Sequence, residues 1–300
     1  MAEKQSGRIS GGLKNKEAHA ERSGAPLFHE SEKAMEALKN VRLFCLDMDG
    51  TIYLDNDLFD GTLDFLAYVK KIGGKALFLT NNSSKGIDKY IEKMARIGIS
   101  ATAEDFITST DATILYIKEN HPEVLFYAMG TESFVRQLLD AGLSVTTDIS
   151  RFDEIGGVLI SNDIEITFKK MDDVSRLLTR GAIYLATNPD PACPTAYGYV
   201  PDCGSFAIGF FNATGKMPHY IGKPEPTMIE MAMKKYGYKA EETAMVGDML
   251  KTDIMAGNNA GVSSILVLSG GTDREKLNAS EIRPTYVFEN IRALLCELEK

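Results

Sequence analysis

A chain of 300 residues with 44% hydrophobic side chains is long enough for two domains and apolar enough to bury a sizeable core. Its formal net charge of −9 excludes broad electrostatic binding to nucleic acid, which needs clustered positive charge, so any anionic substrate must be held by local groups. The four cysteines form no C-x-x-C pair and the four histidines are scattered, so neither a zinc site nor a Ser-His-Asp triad is in view.

Residues 1–35 are polar and mixed in charge, and are expected to form a mobile extension that buries too little surface to offset chain entropy. The N-terminus lacks the apolar core of a signal peptide, and no apolar stretch approaches the ~20 residues needed to cross a bilayer. With Cys45 reading as a small hydrophobe inside an apolar run, this predicts a cytoplasmic protein with no membrane partner.

From Val41 onward short β-rich runs alternate with helical patterns, the rhythm of βαβ units and a parallel sheet. Strands are expected at Leu43–Leu46, Ala76–Thr80, Leu125–Ala128, Gly157–Ile160, Ala182–Ala186, Tyr220–Ile221, Thr243–Val246 and Ser264–Leu268. Helices fall between them, with stops at Gly73-Gly74 and Gly98. The helix from Pro226 to Tyr236 carries Met228, Ile229, Met231, Ala232 and Met233 as core filler, with Lys234 and Lys235 at the negative end of its dipole. From Asn188 to about Gly204 the chain holds Pro189, Pro191, Pro194 and Pro201 without a period, and reads as a stiffened functional loop.

The stretch "LFCLDMDGTIYL" places Asp47 and Asp49 at the end of an apolar run. Asp-Gly between apolar segments is a hairpin signal, so Gly50 and Thr51 are expected to turn the chain into a small β-flap. In an open parallel sheet, however, ligands bind outside the carboxyl ends of the strands. Thr80-Asn81-Asn82-Ser83 follow the second strand, Asp248 follows "AMVG" with Asp253 behind it, and Lys223 in "IGKPEP" sits between a strand and a helix. Singly, these could be a helix cap, a capping aspartate and a surface turn. Together on one rim, acidic pairs with a lysine and a hydroxyl make a magnesium and phosphate site. A phosphate about 4 Å from one carboxylate meets roughly 4 kcal/mol of repulsion at an effective dielectric near 20, so a cation is required. Magnesium prefers such hard oxygen ligands.

The ordered set D-x-D-G-T, T-N-N-S-S, G-K-P and G-D-x-x-x-x-D resembles the haloacid dehalogenase (HAD) superfamily of phosphohydrolases, from about Val41 to the C-terminus. The long insertion between Thr80 and Lys223, with "ATNPD" and "PDCGS", resembles the NagD and p-nitrophenylphosphatase branch (HAD-IIA), which carries a large α/β cap. The fold implied is α/β: a Rossmann-like parallel-sheet HAD core over residues 36–110 and 211–300, with the cap domain inserted at 111–210.

The resemblance implies that Asp47 is the nucleophile, forming an aspartyl-phosphate, and that Asp49 is the general acid and then the base. It implies magnesium on the Asp47 carboxylate, the Asp49 backbone carbonyl and Asp248, with Asp253 supporting from behind. Thr80, Asn81, Asn82 and Lys223 would bind the substrate phosphate. Asn188, Asp190, Tyr197, Tyr199 and Asp202 are the cap candidates for specificity; Asp202 and Ser205 stand where relatives commonly have glycine and alanine.

Asp49 argues against a dehalogenase, since a halide leaves without a proton. The expectation is a magnesium-dependent phosphatase acting on a small phosphorylated metabolite such as a nucleoside monophosphate or sugar phosphate, and the family resemblance implies a homodimer formed through the cap. The competing readings are a regulatory protein that binds a phosphorylated ligand without turnover, and phosphotransfer to an acceptor other than water.

Overall fold

The computed structural model describes residues 32–195 and 198–300, so of the expected extension residues 1–31 lie outside the described residues. Helix Glu32–Leu38 leads in, and its last residue, Leu38, is already buried in the apolar core. The strand Leu43–Leu46 follows, buried at all four positions. A strand in the middle of a parallel sheet is covered on both faces, which is why "LFCL" is a continuous apolar run rather than an alternating one. Phe44 and Leu46 join one core cluster with Phe78, Val246 and Ile265, while Leu43 and Cys45 join another with Leu77, Leu79 and Met245.

This strand lies near the centre of a six-stranded parallel sheet in the order Tyr286–Phe288, Ser263–Val267, Thr243–Gly247, Leu43–Leu46, Lys75–Thr80, Phe106–Thr108. Register decides what happens at its rim. Leu46 is level with both Val246 and Phe78, so Asp47 and Asp248 emerge side by side with the Thr80 strand end beside them. Helices Thr62–Lys71 and Ile291–Leu298 cover one face through Phe65, Val69, Leu294 and Leu295. Helix Thr227–Tyr236 covers the other, with Met228, Ile229 and Ala232 buried, so the methionine-rich stripe is core.

Between the strands Phe106–Thr108 and Thr243–Gly247 the chain builds a second parallel sheet, in the order His219–Tyr220, Ile183–Ala186, Gly157–Ile160, Phe126–Met129, Val145–Thr146. Helices Phe168–Arg180 and Cys203–Thr214 pack on one side of it around Val158, Ile160, Leu177 and Phe210. On its other side Phe126, Ala128, Leu159 and Leu185 belong to the same continuous cluster as Leu77 and Leu79 of the first sheet, bridged by helix Ser109–Asn120. The two sheets therefore share an apolar interior.

All eight expected strands are present, with ends shifted by a residue at most places. The edge strands Phe106–Thr108, Val145–Thr146 and Tyr286–Phe288 were not anticipated, because two or three residues are too few to show a period. The expected loop after Asn188 instead contains an antiparallel hairpin, Ala192–Thr195 with Gly198–Pro201. Pro194 and Pro201 are tolerated there because each strand of a two-stranded ribbon has a free edge. The β-flap exists as Tyr53–Leu54 with Asp57–Leu58, but its turn lies at Asp55-Asn56. Gly50, at φ 88°, makes a tighter bend before it, its N–H donating to Tyr53 O at 2.8 Å. No described helix is long and apolar enough to cross a membrane.

Gly157 opens a strand of the second sheet, and a Cβ there would run into the Phe126 ring, which is fully buried. Gly157→Ala is expected to destabilise the protein by about 1–3 kcal/mol through this overpacking. The check is the thermal midpoint, and an unchanged value would mean the ring has room to move.

Candidate active site

Four groups from three distant parts of the chain meet at the rim of the first sheet. Asp47 continues its strand, its N–H donating to Val246 O at 2.9 Å. Its Oδ1 lies 2.6 Å from Lys223 Nζ, and the same ammonium lies 2.7 Å from Asp253 Oδ1. Asp47, Asp248 and Asp253 can each offer a carboxylate oxygen within 4.8 Å of the others. Lys223, Asp248 and Asp253 are buried.

Asp253 reaches this position from a π-helical turn, Leu250–Ile254, where its Oδ2 accepts from Met249 N at 3.0 Å. Such turns are rare and concentrate at functional sites. Gly247 makes room for it: a Cβ there would collide with the Asp253 carboxylate, so the glycine of "GD" and the second aspartate of the motif depend on each other. Asp248 is framed the same way by Gly50 and Gly270, neither of which could carry a Cβ beside it. Its Oδ2 accepts from Gly271 N at 2.5 Å, and Thr51 Oγ1 stands 3.4 Å from its Oδ1. Gly270 and Gly271 were missed in the sequence; the "SGG" triplet after a predicted strand was the available signal.

The electrostatics follow from burial and crowding. Burial opposes the charge on Lys223, yet Asp253 and Asp47 outweigh it and hold the ammonium above its ordinary pKa. Burial raises the Asp47 carboxyl well above the usual range; Lys223 pulls it down, while Asp253 and Asp248 push it further up. Burial and then Asp253 bring Asp248 up to about 6. Three carboxylates against one ammonium leave excess negative charge on hard oxygen donors, with no sulfur or imidazole among them. That donor set fits a divalent cation such as magnesium.

Asp49 stands apart from this cluster, half exposed. Its Oδ2 faces the Tyr53 hydroxyl at 3.4 Å and its Oδ1 faces Lys93 Nζ at 3.4 Å, and that ammonium also sits 3.8 Å over the Tyr53 ring. Neither Tyr53 nor Lys93 was singled out in the sequence, since nothing local links a helix lysine to a residue 44 positions earlier.

The loop after the second strand is fixed by side-chain hydrogen bonds. Thr80 is buried at the rim, and its hydroxyl accepts from Asn82 N at 3.1 Å. The side chains of Asn81 and Asn82 are engaged within the protein. Asn81 Oδ1 accepts from Lys223 N at 2.8 Å, and its Nδ2 donates to Lys223 O and Asp190 Oδ2, both at 2.9 Å. Asn82 Oδ1 accepts from Ser84 N at 2.9 Å and Ser84 Oγ at 2.7 Å.

Of the cap candidates, Asn188 and Asp190 reach this loop, Asn188 Nδ2 donating to Asn81 O at 2.6 Å. Tyr199 is 77% exposed on the hairpin, and Tyr197 lies outside the described residues. Asp202 is buried as the N-cap of helix Cys203–Thr214 and accepts from Cys203 N at 2.5 Å.

The family described as Haloacid dehalogenase-like hydrolase matches residues 44–144, and the HAD-hydrolase-like family matches residues 220–294. The acid sugar phosphatase of Staphylococcus epidermidis is 35% identical over 263 residues, covering 88% of this chain and all of that one. The chain belongs to the haloacid dehalogenase-like hydrolases, a superfamily of enzymes. Among solved structures, the 4-nitrophenylphosphatase of Thermotoga maritima is 35% identical, with a TM-score of 0.81 over 86% of this chain and 97% of that one. The glycerol phosphate phosphatase of Mycobacterium tuberculosis, solved with magnesium, is 28% identical, with a TM-score of 0.79 over 86% and 77%. The neighbours fall in the NagD and p-nitrophenylphosphatase branch, and the α/β cap architecture agrees with it.

Burial pushes the Asp202 carboxyl up to about 7, with Asp190 adding to the effect and the Cys203 N–H opposing it. A folded-state value above the unfolded one means the native state holds the extra proton, so this group's contribution to stability falls as pH rises from about 4 to about 7. Asp202→Asn keeps a good N-cap and cannot ionise. Its gain in stability over the wild type is expected to grow from pH 5 to pH 8, to no more than about 4 kcal/mol. Thermal midpoints at the two pH values check it; a gain that shrinks with pH would overturn it.

Proposed function

We propose that the protein is a magnesium-dependent phosphatase of small phosphomonoesters that works through an aspartyl-phosphate on Asp47. The observation that carries this reading is the buried Lys223 ammonium bridging Asp47 and Asp253 beside Asp248 on one strand-end rim. Relatives called acid sugar phosphatase, 4-nitrophenylphosphatase and glycerol phosphate phosphatase support a small phosphomonoester as substrate, and the magnesium complex of the last supports the metal.

A carboxylate oxygen of Asp47 attacks phosphorus, forming a new O–P bond as the ester P–O bond breaks. Lys223, fixed between two carboxylates, offsets charge on the attacking group and the phosphoryl oxygens. Asp49 gives its proton to the leaving alkoxide from a half-exposed position outside the acidic cluster. It then takes a proton from water, whose oxygen attacks the aspartyl-phosphate, releasing inorganic phosphate and restoring the Asp47 carboxylate. Asp47 and Asp248 would hold magnesium, which neutralises the crowded carboxylates and lets an anionic phosphate approach them. Asp253 keeps Lys223 in place.

Hydrolysis of p-nitrophenyl phosphate in magnesium is expected to fall by at least about 10³-fold in Asp47→Asn, as when a nucleophile is removed. Equal rates in the two proteins would sink the assignment. Protons and metal compete for Asp248, so added magnesium is expected to raise the thermal midpoint more at about pH 7.5 than at about pH 5. A magnesium effect independent of pH would place the ion elsewhere.

A further inference from the structure

The Asn81 side chain has a partner for each of its hydrogen-bonding groups, and two of these partners are the N–H and C=O of one residue, Lys223. Lys223 N–H donates to Asn81 Oδ1 at 2.8 Å, and Asn81 Nδ2 donates back to Lys223 C=O at 2.9 Å. This two-way clamp fixes the backbone from which the buried ammonium reaches Asp47 and Asp253. The remaining Nδ2 hydrogen goes to Asp190 Oδ2 at 2.9 Å. Asn81 C=O accepts from Ser109 Oγ at 2.7 Å and Asn188 Nδ2 at 2.6 Å. Gly222 permits the approach, since a Cβ there would stand 2.5 Å from Asn81 Oδ1 and 2.6 Å from Thr187 O.

Asp190 and Asn188 follow the second sheet's strand Ile183–Ala186, whereas Asn81 follows a strand of the first. The contact therefore runs from the inserted unit, through an amide, to the lysine of the proposed chemistry. We infer that Asp190 and Asn81 are positioning residues: Asp190 orients the Asn81 amide, which sets the Lys223 backbone and with it the ammonium beside Asp47. On this inference, which rests on the phosphatase reading, Asp190 acts on the reaction itself rather than on the choice of leaving group. Seating of the inserted unit becomes a condition for an ordered Lys223.

Asparagine at 190 keeps an acceptor for Asn81 and loses the charge, while alanine loses both. Asp190→Ala is expected to lower kcat about 10–100-fold, the scale of a misplacement near 1 Å, by a similar factor for p-nitrophenyl phosphate, a glycerol phosphate and a hexose phosphate, with KM little changed. Asp190→Asn is expected to stay within a few-fold of wild type. Asn81→Asp, which loses both donated bonds, should fall at least as far as Asp190→Ala. On a Lys223→Met background, Asp190→Ala should cost less than about twofold more, since the group it positions is gone.

Substrate-selective changes in KM, equal loss in the alanine and asparagine variants, or full additivity with Lys223→Met would each overturn the inference. Fluoroberyllate in magnesium, a phosphoryl mimic, provides a readout without turnover. A wild type that gains thermal stability from it but hydrolyses nothing would sink the phosphatase reading alone. The positioning role would then stand if Asp190→Ala loses that gain and Asp190→Asn keeps it, and would fall if both behave alike.

Discussion

The Lys223 ammonium, buried between Asp47 and Asp253, is the interaction on which the rest of the structure depends. A buried charge is tolerated only when paired, and removing one partner from such a pair costs about 3–5 kcal/mol because it leaves the other stranded. The three residues come from three places in the chain, and each is delivered by a different device. Asp47 ends a central strand, Asp253 sits in a π-helical turn, and Lys223 is held through its backbone by Asn81. The pair is weak grounds for stability by itself. Its significance is that it holds a cation beside a carboxylate that burial pushes toward the protonated, unreactive form, and opposes that push.

Crowding several carboxylates on one rim demands space as well as charge balance. Glycines supply it at the points of closest approach: Gly247 against Asp253, and Gly50 and Gly270 against Asp248. Gly50 also needs its positive φ, for which a side chain would be strained. The motifs thus pair a glycine with the aspartate that leans on it. This is a packing requirement, distinct from the turn propensity that makes Asp-Gly a hairpin signal.

The second sheet is tied to the loop after Thr80 by more than the Asp190 link. Ser83 Oγ bonds Thr187 Oγ1 at 2.9 Å and accepts from Asn162 N at 3.1 Å, and Thr131 Oγ1 donates to Ser84 O at 3.1 Å. These partners sit at the carboxyl ends of the second sheet's strands, so the two strand-end rims meet over one short loop. With the apolar cluster shared between the sheets, the inserted unit is bonded to the site and is not merely a cover over it.

The sequence by itself determined the parallel-sheet class, the positions of eight strands and the aspartates at the ends of two of them, because each rests on neighbours a few residues apart: an apolar run, then a carboxylate, then a glycine. It also marked Lys223 and Asp253, through spacing that matches a known motif set. What "TNNSS" does was not legible in this way. Asparagines after a strand look equally like phosphate ligands and caps, and the Asn81 side chain takes its partners from 142 residues away at Lys223 and 109 at Asp190. The hairpin after Asn188 and the Lys93–Asp49 contact stayed hidden for related reasons, short prolines-bearing strands in one case and a long-range contact in the other. Local pattern decides where a backbone turns and which residues reach a rim; only the tertiary structure decides which of their donors and acceptors remain free, because hydrogen-bond capacity is finite and its partners come from far along the chain.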